Sequence, residues 1–133
     1  VYVMRRVVKR VKKKIKGIRK GSVRYQRHKE EARKLITERI LFWNIFYKFN
    51  YGRVSIRNQK TRWGSCSSKG NLNFSYRLVF LPMHLVDYVV VHELCHLKEF
   101  NHSENFWALV EKHLPDYRKS KDELKTYGAK YVG

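Results

Sequence analysis

The stretch from Leu85 to His96 constrains the fold more than any other part of the chain. Leu85, Val86, Val89, Val90 and Val91 demand burial at helical spacing, yet the run leads straight into His92-Glu93-Leu94-Cys95-His96. Pro82 fits the first position of such a helix, which should run to about Phe100. A buried helix that ends in two histidines and a glutamate needs something to satisfy those groups. Residues four apart lie one turn above each other, so His92 and His96 share a face. Both imidazoles can then reach one Zn²⁺ at about 2.0–2.1 Å. Glu93, one step round the helix, flanks that point and is placed to take a proton from a water on the metal.

A third ligand has to come from outside the helix. A break at Asn101 and a chain reversal would deliver His102, leaving the fourth tetrahedral position open, as in catalytic rather than structural zinc sites. Glu104 or Glu111 is the alternative if His102 points away. Cys95 is expected as a packed free thiol. His113 reads as a surface or supporting residue, and His28 and His84 as surface residues. Three neutral imidazoles would leave the zinc its full charge. The donor set does not exclude Mn²⁺ or Fe²⁺.

The rest of the chain reads as α+β. From Lys29, Ala32, Leu35, Ile36, Ile40, Trp43 and Tyr47 mark one face of a helix, with Asn50 and Gly52 able to end it. Val54-Ser55-Ile56-Arg57 and Leu72 to Tyr76 alternate as two short strands. Ser103 fits the N-cap of a helix carrying Phe106, Trp107 and Val110 and stopped by Pro115, and a last helix spans Arg118 to Tyr127. Charge divides the chain differently. Thirteen of the thirty Lys and Arg fall in residues 1–29, which hold no Asp or Glu; this stretch supplies +13 of the net +19. Such density points to an anionic partner, nucleic acid foremost, with binding that weakens as salt rises. Within it, Met4, Val7, Val8, Val11, Ile15 and Ile18 recur at helical spacing, whereas Val1, Val3, Val23 and Tyr25 fit short strands. Both readings stand. No run is long and apolar enough for a membrane span or a secretory signal, and two cysteines suit a reducing compartment, so a cytoplasmic protein is expected.

Several motifs in order resemble the YgjP-like zinc metallopeptidases, relatives of the SprT-like proteases. They are Thr61-Arg62-Trp63-Gly64-Ser65-Cys66, Leu81-Pro82, Asp87 through His96, Asn101-His102-Ser103, Phe106-Trp107 and Pro115-Asp116-Tyr117, a match over roughly residues 24–127. Metzincin spacing is also met, but Glu99 stands where that signature has glycine. The resemblance implies a zincin-like fold, with a small antiparallel sheet packed on helices and the motif on a buried helix. It implies one zinc per chain on His92, His96 and His102, with Glu93 as catalytic base, in a domain over 26–133 behind a basic segment at 1–25. Members usually carry a longer β-rich N-terminal region. The resemblance also puts Arg62 and Trp63 near a substrate cleft, although one of three tryptophans in so small a domain favours a core role for Trp63. The strand holding Asn73 would form the rim of that cleft, open to an added peptide strand, and Arg77 and Tyr117 are candidate oxyanion stabilisers. A polypeptide is the expected substrate. Two alternatives remain: a metal-dependent nucleotide pyrophosphatase, unsupported by any Gly-rich phosphate loop, and a non-catalytic zinc module, for which Glu93 has no use.

Overall fold

The computed structural model describes residues 20–132. The first helix, α1 (Lys20–Tyr47), buries Ala32, Ile36 and Ile40 in successive turns. It starts at Lys20 rather than near Lys29, so Val23 and Tyr25 are helical and not strand residues. Aromatic anchoring explains the longer helix. The Tyr25 hydroxyl donates to the Ile56 carbonyl at 2.9 Å and its ring meets Tyr76 edge-on, while the Arg24 guanidinium lies 4.5 Å from the centre of the Phe80 ring. The helix ends where Lys48 turns left-handed at φ 56°, before Asn50 and Gly52. There the Asn44 side chain bonds both the N–H and the carbonyl of Phe49. The reading of Met4 to Ile18 as helix or strands lies outside the described residues.

Three strands follow: β1 (Val54–Arg57), β2 (Gly64–Cys66) and β3 (Leu72–Ser75), in the order β1-β3-β2. The sheet is mixed rather than wholly antiparallel. β1 runs parallel to β3, with Ile56 beside Phe74, and β2 runs antiparallel to it, with Gly64 beside Phe74. β3 is therefore the central strand, paired on both sides. Among the described residues β1 and β2 are the edges, and β2 is a strand whose Gly-Ser-Cys sequence carries no alternating apolar signal. β3 runs into a 3₁₀ turn, Tyr76–Phe80, capped by the Ser75 hydroxyl accepting from the Arg77 N–H.

The motif helix is α2 (Met83–His96), with Pro82 at its N-cap. It packs against α1, β2, α3 (Glu104–His113) and α4 (Tyr117–Val132), which is why Val86, Val90, Val91 and Leu94 are all fully buried. Ser103 caps α3 by accepting from the Phe106 N–H. α1 and α2 are clamped by Asp87, which accepts from Arg39 Nε at 2.6 Å, Arg39 guanidinium N–H at 3.1 Å and Trp43 Nε1 at 3.0 Å. Among the described residues, no helix is long and apolar enough to cross a membrane.

Candidate metal centre

α2 stops at His96, short of Phe100, and the chain reverses over residues 97–102 to start α3. This reversal brings three imidazoles together. His96 Nε2 lies 3.1 Å from His92 Nε2 and 3.1 Å from His102 Nε2, and the third side of the triangle is 3.2 Å. Three ligand nitrogens on a tetrahedral zinc at about 2.05 Å stand roughly 3.3 Å apart, so the donor set fits such an ion. The tautomers fit as well. His96 Nδ1 is 3.0 Å from the Glu99 carbonyl, to which only an N–H can donate, leaving the Nε2 lone pair for a cation.

Ring packing holds the triangle in shape. Phe106, fully buried, stacks on His96 at 4.4 Å and meets His92 and His102 edge-on at 5.0 and 5.1 Å. Trp107 stacks on His102, and Tyr117 stacks on Trp107 at 5.1 Å. Burial, and then the neighbouring His96, His102 and Lys121, push the His92 pKa down to about 3. Burial lowers His96 too. Neutral imidazoles are the form a metal binds.

Glu93 turns its carboxylate into the same space. Only 5% exposed, it has Oε1 3.8 Å from His92 Nε2, and Oε2 is buried with no hydrogen-bond partner. Burial raises its pKa to about 8, against the pull of Arg62. A buried carboxylate beside three converging nitrogens, with one oxygen lacking any partner, is a poor structural element. Gly64 lets this approach happen: a Cβ there would stand 3.0 Å from Glu93 Cγ and 3.1 Å from the Asn73 carbonyl oxygen.

Two lobes of a cleft meet at Arg62, Gly64, His92 and Glu93. One, of about 270 Å³, runs past His96, His102, Ser65, Cys66 and Phe100. The other, of about 240 Å³, is more apolar, with Trp63, Tyr88, Val89 and Leu124. Trp63 thus serves twice, packing on the core and lining the cleft. Of the remaining candidates, Asn73 accepts from Arg57 Nε within the sheet. Arg77 is buried beneath Gln59, whose carbonyl takes its N–H. Tyr117 accepts from Arg118 Nε and faces a separate hollow with His84 and Asp87. Neither Glu104, Glu111 nor Cys95 belongs to the histidine triangle. Cys95 is fully buried, and His113 packs on Tyr47 at 4.7 Å, on another face. Tyr88, whose hydroxyl is 3.5 Å from His92 Nδ1, and Leu124 of α4 were not foreseen from the sequence. Tyr88 lies one turn before His92, so helical spacing held the signal; nothing in the sequence marked Leu124.

Comparison with curated proteins finds no match. Among solved structures, the fold is similar to the metallopeptidase zymogen abylysin of Pyrococcus abyssi, at 26% identity and a TM-score of 0.59 over 71% of this chain and 92% of that one. The metallopeptidase zymogen jannalysin of Methanocaldococcus jannaschii shares the fold at 22% identity and a TM-score of 0.53, with the same coverage. The sequence matches the YgjP-like metallopeptidase domain over residues 4–127, nearly its whole length. With that match over residues 4–127, the chain belongs to the YgjP-like metallopeptidases.

Proposed function

We propose that the protein is a zinc peptidase in which His92, His96 and His102 hold one ion and Glu93 is the general base. The reading is carried by one observation: three Nε2 atoms within 3.2 Å of each other, with Oε1 of the buried Glu93 3.8 Å from one of them. Zinc held there would supply Lewis-acid polarisation of a peptide carbonyl and a lowered pKa for water. Glu93 accepts the proton of the attacking water at Oε1, the oxygen nearer the triangle, and passes it to the departing amine nitrogen. Its other oxygen, Oε2, is buried with no hydrogen-bond partner. Arg62, at the junction of both lobes, adds positive charge where a substrate carbonyl gains negative charge.

Polypeptide recognition falls to β2. Among the described residues no strand pairs with its outer edge, and Gly64, Ser65 and Cys66 line the cleft, so an extended substrate would add to the sheet at this strand. This replaces the strand of Asn73, which has no open edge. The family match favours a peptidase over a nucleotide hydrolase. Tethering to nucleic acid through residues 1–29 remains part of the proposal, resting on the +13 charge of that stretch; its residues 1–19 lie outside the described part of the chain. The test is metal content by mass spectrometry, with peptide cleavage, for the wild type, Glu93→Gln and His102→Ala. One zinc per chain is expected in the first two, with cleavage lost in Glu93→Gln and zinc lost in His102→Ala. Full zinc retention by His102→Ala, or peptide cleavage by Glu93→Gln, would overturn the assignment.

A further inference from the structure

A second hollow opens beside the cleft and shares Arg62 and Trp63 with its apolar lobe. It holds about 70 Å³, enough for a group larger than one water. Lys60, Arg62 and Arg77 line it together with the Ser75 and Thr61 residues, and among the described residues no acidic one does. Arg77 is 3% exposed, yet among the described residues no carboxylate lies within 4.0 Å of it, nor of Lys60 or Arg62. One of its N–H groups donates to the Gln59 carbonyl, its plane lies 4.7 Å from the Tyr76 ring centre, and its Nε has no partner. Proteins pair buried charges, because an uncompensated one in a low-dielectric interior is expensive to hold. A buried guanidinium that faces a hollow flanked by two more cations is a receptor for an anion. The planar fork of arginine matches a carboxylate, and a peptide is the ligand that brings one.

We propose that this hollow is a carboxylate subsite, binding through Arg77, Arg62 and Lys60 a carboxylate of the peptide whose scissile bond lies at the histidine triangle. The proposal rests on the zinc-peptidase reading for the position of that bond, but not for the binding itself. The carboxylate is either the free C-terminus, which would make the enzyme release short C-terminal fragments, or an Asp or Glu side chain within a residue or two of the cleavage point. Charge-assisted hydrogen bonds of this kind contribute about 1.5–3 kcal/mol, a roughly tenfold or greater preference.

The test uses the zinc-loaded protein and two pairs of peptides, one pair differing as C-terminal acid and amide, the other as Glu and Gln at each position near the cleavage point. One pair should show about a tenfold higher kcat/KM for the anionic member, and which pair does so identifies the source. Lys60→Glu, at an exposed position, should cut that ratio by about threefold or more, and Arg77→Met should bring it near one. In parallel, the Trp63 indole N–H resonance should shift on addition of the short acid peptide, less in Lys60→Glu and less with the amide. Equal cleavage of both members of both pairs, with no carboxylate-dependent shift at Trp63, would show that Arg77 only pins the Gln59 loop. A carboxylate-dependent shift in a protein that cleaves no peptide would instead sink the peptidase reading and leave the subsite standing.

Discussion

Replacing Glu93 by glutamine should stabilise the metal-free protein, and by an amount that depends on pH. In the folded chain Glu93 takes up its proton with a pKa of about 8, against 4.5 for an ordinary glutamate, because its side chain is almost wholly removed from water. Between those two values the native state binds more protons than the unfolded state, so unfolding free energy falls as pH rises. At 1.36 kcal/mol per pH unit the full gap is worth about 5 kcal/mol, and relaxation of the site reduces it to roughly 2–5 kcal/mol. The glutamine side chain has no charge to desolvate and escapes that loss. His92, with its pKa lowered to about 3, has the opposite sign: the unfolded state binds the extra proton, so stability rises from about pH 3 to 6.5. Its contribution is common to both proteins and largely cancels in the difference. The assay is urea unfolding in the presence of chelator, from pH 4 to 9. The Glu93→Gln advantage should be small at pH 4, grow above pH 4.5 and level off above pH 8. An advantage that does not change with pH, or a less stable variant at pH 9, would refute the argument that this carboxylate is held at the expense of the fold.

Other perturbations probe the scaffold around the site. Zinc at a thousand times its dissociation constant should raise the unfolding free energy by about 4 kcal/mol in calorimetry, an increment absent from His102→Ala. Asp87→Ala should lose about 2–4 kcal/mol in denaturant titrations, since it strands the Arg39 and Trp43 donors at the α1–α2 junction. Gly64→Ala forces a methyl between Glu93 Cγ and the Asn73 carbonyl; peptide cleavage should fall by about tenfold or more while metal analysis still finds zinc, with about 1–3 kcal/mol of destabilisation. Phe106→Ala should lose about 3–5 kcal/mol and weaken zinc affinity measured by competition with a chromophoric chelator.

What was legible in the sequence follows the strength of local signals. α2 could be placed because five apolar residues at helical spacing lead into its histidines, and Ser103 marked the start of α3. Strand β2 was not, since Gly64-Ser65-Cys66 is a strand only by virtue of pairing with β3. Its absence from the reading also concealed which strand has the open edge. The start of α1 was hidden by charge: Arg24 reads as solvated tail until its guanidinium is found over Phe80. The spacing of His92, His96 and His102 suited a metal, and the structure brings their Nε2 atoms together. The surroundings of Arg77 and Leu124 depend on which elements pack side by side, and no local pattern encodes that.

The aromatic packing beneath the imidazoles has a consequence for how such an enzyme would be supplied with its ion. Phe106, Trp107 and Tyr117 fix the three rings through contacts that owe nothing to a cation. Were that packing sufficient by itself, the domain would stay folded when stripped and reload without being remade. Its working population would then track the zinc available in its surroundings from moment to moment, rather than the rate at which new chains are synthesised.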